Sequence, residues 1–144
     1  MSIYTKFLTP SGGTGGDATV APLSPIPLSS NGPLSQVPAV THTTGSTDIT
    51  VPSAGVYQID YSVNYSSGLG SEVSISVNGS PVTSTTLAAI TADGTVEGTA
   101  MLELQTGDVI SLVNTSSSTS IVMVLSPSIG AQVNLIRIGD LLTP

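Results

Sequence analysis

The sequence predicts an all-β fold, an antiparallel sandwich, and three observations carry that prediction. From Thr47 onward, apolar residues recur at every second position over most of the chain. Turn signals interrupt the alternation at short intervals: Asn78-Gly79, Thr106-Gly107-Asp108 and Ser126-Pro127-Ser128. No segment competes with the apolar spacing of a helix.

The elements follow in order. Thr47 to Val51 opens the alternating part. Tyr57, Ile59, Tyr61, Val63 and Tyr65 then share one strand face, with Gln58, Asp60, Ser62 and Asn64 on the other. Val73, Ile75 and Val77 repeat the pattern and run into Asn78-Gly79, a two-residue hairpin signal. A short stretch near Ser84 to Thr91 follows. Val96, Gly98, Ala100, Leu102 and Leu104 alternate with Thr95, Glu97, Thr99 and Glu103, and a turn leads into Val109 to Val113. Ile121 to Leu125 and Val133 to Ile138 complete about eight strands, the number and spacing of a sandwich.

Those last two strands do not alternate cleanly. Ile121 to Leu125 is apolar on both faces and Val133 to Ile138 nearly so. One face of a two-layer sandwich meets water, so continuous apolarity calls for a second cover. A further copy of the chain supplies one, and Val122, Val124, Leu135, Ile136 and Ile138 are then its contact residues. Loops from residues 18–46 are the alternative cover.

Before Thr47 the composition differs. Residues 1–46 hold six of the ten prolines. Met1 to Leu8 carries Ile3, Tyr4, Phe7 and Leu8, and Thr9 to Asp17 has the Gly-rich composition of a tether. Val20 to Leu34 alternates apolar residues with Pro and Ser, which suits an extended path. The chain therefore divides into an anchor and tether over 1–17, an extended lead-in over 18–46 and a folded domain over 47–144. The expectation is that Ile3, Tyr4, Phe7 and Leu8 dock on a neighbouring molecule by adding a strand to a sheet edge. A frayed terminus is the alternative.

Composition excludes several functions. The 144 residues carry 2 basic and 9 acidic side chains, a formal charge of −7, so Lys6 and Arg137 cannot form a nucleic-acid-binding patch. An anionic membrane surface repels such a chain, and no apolar run is long enough for membrane insertion. The absence of cysteine removes disulfides, thiolate metal sites and a cysteine nucleophile. Met1 to Thr9 shows no apolar signal core or cleavage site, so the expectation is a protein made without a signal peptide.

No catalytic constellation is visible. The one histidine, His42, is expected at a solvent-facing or strand-edge position, without triad partners. Asp93, Glu97, Glu103 and Asp108 could offer oxygen ligands to calcium, but Glu97 and Glu103 lie on the polar face of one strand, where solvated carboxylates are ordinary. No cofactor, metal or catalytic residue is expected. Glycosylation sequons begin at Asn64, Asn78 and Asn114, and Asn78 is already accounted for by its turn.

Val51-Pro52-Ser53-Ala54-Gly55-Val56-Tyr57-Gln58-Ile59-Asp60-Tyr61-Ser62-Val63 resembles a strand of the bacterial branch of tumour-necrosis-factor/complement-type jelly rolls. Val77-Asn78-Gly79, Leu104 to Leu112 and Leu135-Ile136-Arg137-Ile138 match in order, so the resemblance spans about residues 47–139. That branch includes the C-terminal heads of collagen-like exosporium glycoproteins on endospores. The resemblance implies a jelly roll, a homotrimer with its late strands near a threefold axis, and a spore-surface location. The sequence departs from those glycoproteins in having no Gly-X-Y stalk. With an N-terminal arm in its place, the expected function is a self-assembling subunit of a surface fibre or appendage. Its partner is itself, first as trimer and then as head-to-tail polymer, with an anchoring or tip protein at the fibre ends. The alternative is a trimeric adhesin or receptor-binding head at the tip of a surface or phage fibre.

Overall fold

The strictly alternating segment Gly55–Ser67 forms the longest strand among the described residues, and the others assemble around it. The structure, a computed structural model, describes residues 2–5, 19–31, 40–124 and 128–141. The strands are β1 Ser2–Thr5, β2 Thr19–Val20, β3 Ser24–Pro25, β4 Ser30–Asn31, β5 Ile49–Thr50, β6 Gly55–Ser67 and β7 Glu72–Val77. They continue as β8 Ser80–Pro81, β9 Leu87–Ala88, β10 Gly94–Leu104, β11 Val109–Asn114, β12 Ile121–Met123 and β13 Ala131–Gly139. A 3-10 turn at Thr83–Thr85 occupies part of the stretch expected as a strand near Ser84 to Thr91.

All strand pairs are antiparallel and fall into two sheets. The first runs β2-β12-β6-β13-β1-β4, with β10 along the other edge of β6. The second runs β3-β11-β7-β8, with β5 on β11 and β9 on β7. The fold is the all-β jelly-roll sandwich expected from the sequence.

The inner faces carry the residues that the alternation selected. Tyr57, Ile59, Tyr61, Val63 and Tyr65 of β6 meet Val73, Ile75, Ile110 and Leu112 of the second sheet, with Val133 and Leu135 of β13 beside them. Three tyrosines fit this core because each ring fills space while its hydroxyl reaches a partner. Tyr57 donates to Ser53 O at 2.8 Å and Tyr61 to Thr85 O at 2.6 Å, while the Tyr65 hydroxyl lies 2.8 Å from Thr91 Oγ1. Burial pushes the Tyr61 hydroxyl above the usual tyrosine range, and its bond to Thr85 opposes the shift.

Two local motifs have clear physical causes. Asn78 and Gly79 both take positive φ, 51° and 85°, as a type I′ hairpin turn requires. At Gly55 the reason is close approach: an added Cβ would lie 2.5 Å from Arg137 Nε and 2.7 Å from Gly139 O. Arg137 crosses this point to donate from Nε and Nη2 to Ala54 O, at 3.1 and 2.8 Å. The Ala54-Gly55 pair and the distant Arg137 thus form one clamp.

The structure differs from the sequence reading in two places. The described part of 18–46 lies inside the sandwich instead of leading up to it: β2 pairs with β12, β3 with β11, and Ile26, Leu28 and Val40 are core residues. Proline interrupts their alternation without preventing burial, because apolar residues at 20, 26 and 28 still face inward. His42 is buried instead of solvent-facing, because Asn31 Oδ1 stands 2.5 Å from its Nδ1 and Ser46 O stands 2.9 Å from its Nε2. Asn114, the first residue of a sequon, is fully buried and donates through Nδ2 to Val20 O, Ala21 O and Thr119 O.

Candidate self-association surfaces

The alternation that fills the core also determines the opposite face of the first sheet. Register puts Thr99, Asp60 and Asn134 in one row across β10, β6 and β13, and Glu97, Ser62 and Gln132 in the next. These six line a shallow polar groove of about 560 Å³. Thr99 Oγ1 donates to Asp60 Oδ1 at 2.7 Å, and Thr95 Oγ1 donates to Asn64 Oδ1 at 2.5 Å. Farther along, Met101 and Ile136 flank Gln58 in a row, and Glu103 stands opposite Val56 in the next pair. Met101 is 64% exposed, Ile136 46% and Ile138 48%. This face is therefore polar over most of its length, Glu103 included, and Met101 and Ile136 leave large apolar side chains in water on it.

The residues expected at a contact between copies divide on this face. Ile136 lies exposed beside Gln58, and Ile138 is exposed at the register shift between Arg137 and Gly139. Leu135 instead points into the sandwich and is fully buried in its own chain, because a strand turns consecutive side chains to opposite faces. Val122 and Val124 are half-buried at the far end. Val122 stands opposite Ser67 and Ile136 opposite Gln58, nine residues apart along β6, or about 30 Å. The five do not form one patch. Met101 was missed, although it is the apolar residue among Thr95, Glu97, Thr99 and Glu103 on an otherwise polar face, a signal present in the sequence.

A second surface is the edge of the same sheet. β1, which includes Ile3 and Tyr4, pairs along β13 with Ser2 opposite Asn134 and Thr5 opposite Ala131. Its other edge meets β4, with Ile3 opposite Asn31 and Tyr4 opposite Ser30. So the strand expected to dock on a neighbour pairs here with its own chain. Phe7 and Leu8 lie outside the described residues. The outer wall of this slot is tied to the body through His42, whose backbone oxygen accepts from Asn31 Nδ2 at 2.8 Å.

One end of the sandwich presents a third feature. Gly70 N donates to Ala89 O at 3.0 Å, which joins the loops carrying exposed Leu69 and Ile90. The loop with Leu23 is held at the same end by Asn114. Among the described residues, no group of three His, Cys, Asp or Glu side chains could hold a metal ion, so Asp93, Glu97, Glu103 and Asp108 do not come together. No helix among them is long and apolar enough to cross a membrane.

Among solved structures, Eiger TNF from S. frugiperda is similar to this chain at 18% identity and a TM-score of 0.60, with 100% of this chain and 96% of that chain covered. GITRL from bushbaby is similar at 18% identity and a TM-score of 0.51, over 76% of this chain and 85% of that one. Likeness at these identities concerns the fold, and it is the jelly roll described above. No curated protein sequence matches the chain. Residues 12–139 match the family model described as the BclA C-terminal domain, and that span covers most of the molecule. The chain belongs to the BclA C-terminal domain family.

Proposed function

We propose that this protein is a structural, self-assembling subunit of a bacterial spore- or cell-surface fibre. Three copies associate through the outer face of the first sheet, and trimers join head to tail through the N-terminal arm. The observation that carries the reading is Met101 and Ile136 exposed in one row of a sheet face, with exposed Ile138 two residues on, in a BclA C-terminal domain. Large apolar side chains in one surface region mark association sites in soluble proteins. A spore-surface or exosporium location belongs to this proposal, which assigns no catalytic role. An anchoring or tip protein would hold the fibre ends.

Light-scattering mass across a sizing column tests it, on the full chain and on a chain lacking residues 1–17. The expected result is polymers from the first and discrete trimers from the second. Monomers in both would overturn the reading. A second reading, a trimeric adhesin or receptor-binding head, is favoured by exposed Leu23, Leu69 and Ile90 at one end of the sandwich. Identical discrete trimers from both chains would support that alternative.

A further inference from the structure

We propose that β1 is an exchangeable strand. The slot between β13 and β4, occupied here by the chain's own Ser2–Thr5, is filled in the assembled fibre by Ser2–Thr5 of a second copy in a neighbouring trimer. This rests on the fibre reading above and names its receiving site.

Both walls of the slot are held without β1. On one side, β13 pairs with β6 from Ala131 to Gly139. On the other, β4 is fixed by the two contacts of Asn31 with His42, and His42 is tied on to Ser46. Gly45 N donates to Leu28 O at 2.8 Å, and Leu28 is buried in the core, so this wall is continuous with the sandwich. A withdrawn β1 leaves a preformed opening flanked by two strand edges, and such edges pair readily with another strand.

The connecting segment is much longer than the closed arrangement needs. Thr5 lies across from Ala131, which lies across from Val63 of β6. Thr19 lies across from Val122, which lies across from Ser67 of β6. Both ends are two strands from β6, on the side where Asn64 accepts from Val124 N and donates to Gly130 O. They differ by four residues along β6, a separation on the order of 15 Å. Residues 6–18, thirteen in number and including Gly12, Gly13, Gly15 and Gly16, can span about 45 Å. The same segment that permits self-pairing therefore lets the strand reach another molecule.

Exchange conserves the contacts. A second copy brings the same four residues to the same partners, so the strand pairing itself favours neither state. Self-pairing gains from the high effective concentration of a tethered strand, and the fibre gains from three arms acting together. A trimer with its own arms docked is silent, and growth requires their release.

The protein has no cysteine, so engineered thiols are its only ones. Chains carrying Ser2→Cys and chains carrying Asn134→Cys are mixed, assembled and oxidised, and bonds between chains are read on a non-reducing gel. The expected result is a covalent pair, one chain of each variant, in the polymer fraction. A chain carrying both substitutions should shift from intrachain bonds in the trimer fraction to interchain bonds that join more than three chains in the polymer. Tyr4→Cys with Gln132→Cys repeats the test one row along, should the first pair perturb folding. Polymers from the wild type, together with only intrachain bonds in the doubly substituted chain, would overturn the exchange and leave the fibre reading intact. Interchain bonds confined to discrete trimers would overturn the link between trimers. An absence of wild-type polymers removes the fibre reading itself.

Discussion

The two sheets finish their outer faces in different ways. On β7, Ser74 and Ser76 point away from the core residues Val73 and Ile75, yet both are buried. Ser74 Oγ lies 2.8 Å from Thr86 Oγ1 and 3.2 Å from Thr115 Oγ1, so small hydroxyls close that surface against the chain's own loops. On the first sheet, the outward positions of β10 and β13 carry Met101, Ile136 and Ile138, and among the described residues no loop covers them. Alternation alone produces both patterns. What differs is whether the chain supplies its own cover, and of the two outer faces the first sheet's leaves more large apolar side chains for a second copy to bury.

Adjacent residues on β13 offer the sharpest break of this comparison. Ile136→Asp should cut association of the proposed trimer by a hundredfold or more while the monomer keeps its melting temperature, because a charge would enter the contact proposed there. Sedimentation equilibrium and thermal melts together check it, and an intact trimer would remove Ile136 from the interface. Leu135→Ala, one residue away, should instead lower fold stability by about 3 kcal/mol through the cavity left in the core. Chemical denaturation of the deletion variant lacking residues 1–17 would measure that loss apart from polymer formation.

Smaller effects test the framework that holds these faces. Gly55→Ala should cost about 2 kcal/mol, because Gly139 O is backbone and cannot move aside as a flexible side chain could. Tyr61→Phe should cost about 1 kcal/mol by removing the bond to Thr85 O. It should also flatten the alkaline limb of the stability profile. The Tyr61 hydroxyl is held above its usual range when folded, so its contribution is complete below the unfolded value near pH ~10 and is lost as pH rises through the folded value. A parallel alkaline loss in wild type and variant would contradict that assignment.

The family motif was legible because it records local needs. Asn78-Gly79 must supply two positive φ angles, and Val51 to Val63 carries the alternation that fills a sandwich. The lead-in was harder to read. Ile26 and Leu28 sit between prolines, and nothing in that stretch announces that Ser24–Pro25 borders β11. His42 was equally obscure, since its partners Asn31 and Ser46 come together only when β4 lies against the body.

By itself, the sequence determined the class of fold, the main core and the turns, because period-two alternation and backbone preference act over a few neighbouring residues. Its charge also argued against nucleic-acid binding, and the lack of cysteine removed thiol chemistry. Only the tertiary structure decided which apolar residues remain exposed. An apolar run such as Leu135-Ile136 gives no sign of which member faces the core. Strand register against β6 makes that choice, burying Leu135 and leaving Ile136 in water. The slot that receives β1 was also a tertiary outcome. Its two walls are separated by about a hundred residues of chain, and no local preference can bring them side by side.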